Sequence, residues 1–346
     1  MRGLLPVTEK RRPTMTDVAA LAGVSQTTVS LVLNGIGEAR VSDETILRVK
    51  KAAKTLGYMH AVRRAGSGTR PGGGVIGFLI DEISTDPWMA IALDGLREKA
   101  AASGLDIMTF VTSGDADAEA SAIRTLGKLN FKGLVYGTIQ TRAVTLSPDQ
   151  LDQHTVLLNC YLTDRSLPSV TPGEVVGGRT ATQHLIDLGH RRIAIIQGEE
   201  WMDASKDRLK GYRQALASAD ITFDEKLVRP GNWEPSAGYA QTRELLKLAD
   251  PPTAIFCCND LMALGSLEAL KELGKDIPRD ISVVGYDDRE IAQFTHPPLT
   301  TVLLPHFEMG VMAAELLLER IDQPGMPPAQ LKTECPLVLR QSSGSP

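Results

Sequence analysis

A chain of 346 residues exceeds one ordinary domain and suits a small domain joined to a large bilobed one. Its hydrophobic content is 42%, yet no apolar run approaches the roughly 20 residues of a membrane span, and the charged start, residues 1–13, lacks the apolar stretch of a secretory signal, so a cytoplasmic location is expected. The formal net charge of −5 conceals a division: residues 1–70 hold 12 Lys and Arg against 5 Asp and Glu, the remainder 25 against 37.

A basic head on an acidic body fits a phosphate-binding module on a soluble sensor, and equally a solvated basic terminus, so charge alone leaves both open. The local pattern is more specific. Thr14 is placed to cap a first helix, with Asp17 as its reciprocal partner and Val18, Leu21 and Ala22 on one face. Gly23 stops that helix early. After Val24, Ser25 caps a second helix that starts at Gln26 and buries Val29, Val32 and Leu33. Two short helices joined by so tight a turn read as a helix-turn-helix. A third helix begins after Ser42, with Ile46, Val49, Ala53 and Leu56 inside, and ends at Gly57; its Arg48, Lys50, Lys51 and Lys54 face either phosphate or water.

With the second helix in a major groove, Gln26 and Thr27 reach base edges and Leu31 follows one turn later. Gln pairs bidentately with adenine, Thr contacts several bases, and Leu meets a thymine methyl. Thr14, Ser25, Thr28, Ser30 and Asn34 are the candidates for backbone phosphate. The run TMTDVAALAGVSQTTVSLVLNG, residues 14–35, resembles the DNA-binding segment of the LacI/GalR repressor family, and VSDETILRVKKAAKTLGY its third helix. The resemblance implies base readers at Gln26, Thr27 and Leu31.

Residues 59–74, MHAVRRAGSGTRPGGG, form a linker too rich in glycine for a stable isolated helix. The family has a hinge helix here that wedges a leucine into the minor groove. No leucine lies between Leu56 and Leu79 in this chain, and His60 stands where proline is usual. Arg63 and Arg64 either enter a minor groove or contact phosphate as the segment orders, or the linker is a plain tether.

Beyond the linker, seven apolar runs alternate with amphipathic stretches: 75–80, 105–111, 133–137, 155–159, 192–198, 253–258 and 281–286. Such alternation indicates parallel sheets covered on both faces, and the number of units implies two lobes. The expected fold is therefore a small all-α helix-turn-helix head plus an α/β body of two doubly wound, parallel-sheet lobes. Ligands in such sheets bind beyond the carboxyl ends of the strands, where Asp81, Asn159, Asn259, Asp260, Asp287 and Asp288 stand, with Arg208 near a helix start. Converging Asn, Asp and Arg beside aromatic rings suit a hydroxyl-rich ligand. Asp260 and Asp288 are as well placed to cap helices.

HLIDLGHRRIAIIQG, RLKGYRQAL, CNDLMALGSLEAL and DISVVGYDD extend the LacI/GalR resemblance over the body, which is similar to a periplasmic-binding-protein fold. By position it implies effector binding by Arg208, Asn259 and Asp287, with Asn159, Trp233, Phe307 and Trp88 lining the pocket. It also implies a DNA-binding domain at 1–59, a hinge at 60–73 and a bilobed domain at 74–341, the N-lobe combining 74–171 with 305–334 and the C-lobe 172–304 with 335–341. Trp88 and Phe307 alternatively pack in the core, and Trp201 lines the cleft or merely covers it. No leucine heptad follows Arg340, so a homodimer on pseudo-palindromic operator DNA is expected.

No cofactor or metal is expected: the histidines lack metal spacing, and Cys160, Cys257, Cys258 and Cys335 match neither a zinc site nor C-x-x-C, reading as reduced core residues. Nucleophile–base pairs and phosphate loops are missing, which argues against an enzyme. A solute-binding protein would not carry the head. The function expected is repression controlled by a sugar or sugar derivative, with a purine-type co-repressor as the alternative.

Overall fold

The computed structural model describes residues 14–33, 41–56, 73–84, 87–129, 131–151 and 154–346. The chain divides into two units, residues 1–69 and 70–346. Asn34, Arg63 and Arg64 lie outside the described residues.

The head contains α1 (Met15–Ala22), α2 (Gln26–Leu33) and α3 (Asp43–Leu56), which pack on one another. Thr14 and Asp17 close a capping box: the Thr14 N–H donates to Asp17 Oδ2 at 2.7 Å and the Asp17 N–H to Thr14 Oγ1 at 3.3 Å. Gly23 ends α1 with φ +64°, a left-handed cap that a side chain would strain. The Thr28 N–H donates to Ser25 Oγ at 3.0 Å, and the Thr45 N–H to Ser42 Oγ at 3.4 Å, so all three helices begin where a hydroxyl can satisfy an orphan donor. Val18, Val29 and Val49 form a fully buried centre with Ala52 and Ala53. The buried stripe of α1 is Met15, Val18, Ala19 and Ala22, spaced by three and four, which leaves Leu21 outside it and 53% exposed, contrary to the sequence reading.

The body opens with β1 (Val75–Ile80), α4 (Trp88–Ala102), β2 (Asp106–Val111), α5 (Ala116–Leu126), β3 (Phe131–Ala143), α6 (Pro148–Leu151), β4 (Thr155–Tyr161) and β5 (Ser169–Pro172). It continues through α7 (Glu174–Asp187), β6 (Ile193–Ile196), α8 (Asp203–Ser218), β7 (Val228–Arg229), α9 (Pro235–Leu245), β8 (Ala254–Cys257), α10 (Asp260–Glu272) and β9 (Ser282–Val284). Last come β10 (Thr301–Val302), α11 (His306–Asp322), β11 (Gln330–Thr333) and β12 (Leu337–Val338).

Two parallel sheets result, one in the order β11-β5-β4-β3-β1-β2 and one in the order β7-β6-β8-β9. Each of the seven apolar runs supplies a strand. The remaining strands are short or polar: β10 and β12 form a two-stranded antiparallel ribbon, and β11, QLKT, is an edge strand. The chain passes between the sheets after β5, between β10 and α11, and between β11 and β12. Helix α11 packs on α4 and against β3, β4 and β5, adding Met309, Ala313, Ala314 and Leu317 to the core of the six-stranded sheet. Val302, Leu304 and Cys335 join the core of the four-stranded sheet, and Leu337 packs against it.

The polar tail is docked on this second lobe. Ser342 is fully buried, donating to the Val283 carbonyl at 2.6 Å, and the Gly344 carbonyl lies 2.8 Å from His190 Nε2. All four cysteines are buried and free, and burial pushes each thiol up to about 12, which leaves them unreactive. Among the described residues no single helix is long and apolar enough to cross a membrane, and no group of His, Cys, Asp and Glu has the arrangement of a metal site.

Candidate functional site

On α2 the buried residues are Thr27, Val29, Ser30 and Val32. Thr27 is 3% exposed and Ser30 fully buried, so neither is presented for contact in the free chain, in contrast to the sequence reading. Their short side chains lie on the packed side of an eight-residue helix between two others. Gln26, Thr28 and Leu31 are partly exposed, as are Thr14 and Ser25. The Gln26 amide donates to the Thr16 hydroxyl on α1, tying the first side chain of the second helix to the first helix.

In the body, a cavity of about 350 Å³ lies where strand ends and helix starts of the two sheets face each other, a volume within the range of small-ligand pockets. Trp88, Asn159, Arg208, Trp233, Asn259 and Asp287 all line it. Phe307 does not. His306 takes that place, because the inward stripe of α11 runs through 306, 309, 310, 313, 314 and 317, and residue 307 falls off it. Trp201 is 62% exposed and lies outside the lining.

Arg208, on α8, is a deeply enclosed cation of the cavity, with a side chain only 4% exposed. Its Nε and Nη2 donate to the two carboxylate oxygens of Glu174 at 2.7 and 2.9 Å, and Nη1 donates to the Cys258 carbonyl. The guanidinium lies 3.7 Å from the Tyr286 ring centroid and 3.8 Å from Asp287 Oδ1. Burial opposes the charge, but Glu174 first, then Tyr286 and Asp287, hold the Arg208 pKa well above its ordinary value. Glu174 was not singled out in the sequence. Its only signal is its position at the first turn of a helix that follows a strand end.

Asn159 and Asn259 spend their amides on the protein. Asn159 Nδ2 donates to the carbonyls of Thr138 and Ile139 at 2.9 and 3.1 Å, and its Oδ1 accepts from Thr141 at 2.5 Å, so it holds the irregular stretch of β3 between Gly137 and Arg142. Asn259 caps α10 by accepting from the Met262 N–H at 2.8 Å, and donates to the Trp233 carbonyl at 2.8 Å. Asp260 and Asp288 are structural as well. Asp260 accepts from the Arg289 N–H and Thr301 Oγ1 at 2.7 and 2.5 Å, and Asp288 from Arg340 at 2.6 Å. Asp81 braces β3 through the Ile139 N–H and Arg142, both at 2.9 Å.

Asn159, Trp233 and Asp287 hold φ of +58°, +68° and +111°. Non-glycine residues adopt such backbone only when the surroundings impose it, and three around one cavity mark it as a built site. Trp233 is held by its ring lying over Gly198, where a Cβ would overlap it, and by an Nε1–H donated to Met202 Sδ at 2.7 Å. Trp88 stacks on His306 with centroids 4.9 Å apart and planes inclined by 18°, and the Arg289 guanidinium sits 4.8 Å from the same Trp88 ring.

Burial, with Arg208 and Arg289 adding to it, pushes the His306 pKa down to about 3, whereas an unfolded histidine titrates near 6.5. The unfolded state therefore binds more protons between these values, and stability falls as pH drops from about 6.5 toward 3. Asp287 has the opposite slope, since burial raises it to about 7 against the pull of Arg208 and Arg289, so its share of stability is lost as pH rises from 3.8 through 7. Comparison with His306→Phe isolates the histidine. Between pH 7 and pH 5 the parent chain should lose about 2 kcal/mol relative to the variant in urea unfolding. Parallel pH profiles would show that the ring is not held neutral.

The description "Bacterial regulatory proteins, lacI family" matches residues 14–60, and "Periplasmic binding protein-like domain" matches residues 182–343. A ribose operon repressor of Haemophilus influenzae is 32% identical over 329 residues, covering 95% of this chain and 98% of that protein. The chain belongs to the lacI family. Other members of similar length include the regulator CelR of Thermobifida fusca, 34% identical with 96% and 99% covered, and the repressor PurR of Vibrio atlanticus, 36% identical with 89% and 92% covered. Among solved structures, a CelR–cellobiose complex is 33% identical with TM-score 0.65, covering 96% of this chain and all of that one. A lac repressor dimer bound to operator and an anti-inducer is 26% identical with TM-score 0.67, covering 97% and 100%. As a lacI-family member the protein is a DNA-binding transcriptional regulator and not an enzyme.

Proposed function

We propose that the protein is a cytoplasmic homodimeric repressor whose two heads bind the half-sites of a pseudo-palindromic operator and whose body releases or strengthens that grip on binding a sugar or sugar derivative. The carrying observation is the cavity between the lobes, where Arg208, Asp287, Asn159 and Asn259 meet Trp88 and Trp233. The Asp287 carboxylate and the Arg208 guanidinium are the groups that fix hydroxyls, Asn159 and Asn259 hold the backbone around them, and indole faces cover the apolar side of a pyranose or furanose ring. Residues 1–59 act as the DNA-binding domain, 60–73 as the hinge, and 74–341 as the sensor, its N-lobe taking 74–171 and 305–334 and its C-lobe 172–304 and 335–341. Gln26 and Leu31 face bases, Thr14, Ser25 and Thr28 face phosphate, and Thr27 and Ser30 hold the helix in place.

A ligand acts only through differential affinity for two lobe arrangements. The lobes already share a polar link: Tyr161 on β4 donates to Asp203 Oδ2 at the start of α8, 2.8 Å away. Closure about a ligand works with that contact. A second reading, a purine co-repressor, is favoured by the likeness to PurR. Fluorescence anisotropy with DNA flanking the protein's own gene tests both. Salt-sensitive, sequence-specific binding weakened by D-ribose or cellobiose supports the first reading, and binding that requires hypoxanthine or guanine supports the second. Indifference to every duplex at moderate salt would falsify both.

A further inference from the structure

One lining side chain has its polar groups unanswered. Nδ1 and Nε2 of His306 are both buried and have no hydrogen-bond partner among the described residues, although the side chain is 98% enclosed and the residue lines the cavity. The ring is not free to turn away, since Trp88 stacks on it and α11 packs directly on α4. Buried polar atoms are almost always satisfied, and a polar group left unpaired in a binding cavity is the usual mark of a contact completed by ligand or water.

We propose that His306 is the hydroxyl-selecting residue of the cavity, hydrogen-bonding one alcohol group of the bound sugar and discriminating against ligands that lack it. The assignment rests on the sugar reading above. With the ring neutral, one nitrogen donates and the other accepts. An alcohol both donates and accepts, so it serves whichever nitrogen it meets. A phosphate or carboxylate only accepts, and it would face Glu82, Glu174, Glu199, Glu234 and Asp287 along the same lining against only Arg208 and Arg289. Arg208 is already occupied by Glu174, which weakens the case for an anion further. A site that buries a hydrogen-bonding group rejects the analogue lacking its partner far more strongly than a purely apolar pocket does.

Calorimetry on the full chain tests this with a panel of pentoses, hexoses and disaccharides that begins with D-ribose and cellobiose, followed by the monodeoxy derivatives of whichever sugar binds. In the parent protein one deoxy derivative should bind at least tenfold more weakly than its sugar. In His306→Phe, which keeps an aromatic ring against Trp88, sugar and that derivative should bind alike, and His306→Gln should recover part of the difference. Thermal melting establishes that both variants are folded. Equal penalties for every deoxy derivative in parent and His306→Phe overturn the assignment while leaving the sugar reading intact. A parent chain that binds hypoxanthine and no sugar of the panel overturns the sugar reading, and the assignment with it.

Discussion

Replacing Arg208 with methionine should cost about 3–5 kcal/mol of stability in the body and eliminate the ligand response, while the head retains its affinity for operator DNA. Arg208 offers Glu174 two parallel hydrogen bonds in a site where both side chains are at most 4% exposed. Removal of one partner strands a carboxylate away from water, and that stranded charge, rather than the lost attraction, dominates the cost. Asp287 also loses a cation 3.8 Å away and retains Arg289 at 3.5 Å. Removing both partners should therefore hurt less than removing one. Arg208→Met/Glu174→Leu is expected to recover most of the stability in urea unfolding without restoring ligand binding. A single variant as stable as the parent would mean that the Glu174 carboxylate finds water or another partner once Arg208 is gone.

That pair also shows which part of the site was legible in the sequence. Arg208 stood out as an arginine near a helix start, and strand ends pointed to Asn159, Asn259 and Asp287, because parallel sheets expose their ligand-facing groups where apolar runs stop. Glu174 follows β5, whose four residues SVTP form no run long enough to announce a strand. Its partner is 34 positions away, and such pairing is set by how α7 packs on α8, not by local pattern.

The Phe307 expectation failed for a local reason. Phe307 was implied as a lining residue by its position in the family resemblance, with core packing as the alternative, whereas Met309, Gly310, Ala313, Ala314 and Leu317 are spaced so as to put His306 on the inward stripe. Roles were harder to read than positions. Asn159 and Asn259 line the cavity as the sequence predicts, but their amides are consumed in holding backbone, a distinction that only distances reveal. In the head the caps were legible because each is decided within four residues. Thr27 was not, because enclosure of a short side chain depends on the packing of three helices.

Gln26 should carry the largest single share of base discrimination, and its replacement by alanine should flatten preference at one base pair of each half-site by about 1–3 kcal/mol, or roughly ten- to a hundredfold. Its amide is anchored to Thr16, which leaves the carbonyl oxygen and the second N–H hydrogen to meet the two groups of an adenine edge. Anchoring cuts the rotamer entropy a long side chain would otherwise lose on binding, so Thr16→Val should produce a smaller loss at the same base pair without creating a new preference. Thr27→Ala should behave differently: with the side chain buried, the change should lower the melting temperature of the head and leave the profile of preferred bases unaltered. Selection from randomised operators, read at two salt concentrations, separates these outcomes, because loss of a base contact changes the sequence profile and leaves the salt slope in place, whereas loss of a phosphate contact reduces the slope by about one. A profile that shifts with Thr27→Ala and ignores Gln26→Ala would mean that α2 meets DNA through a face that the free chain keeps closed.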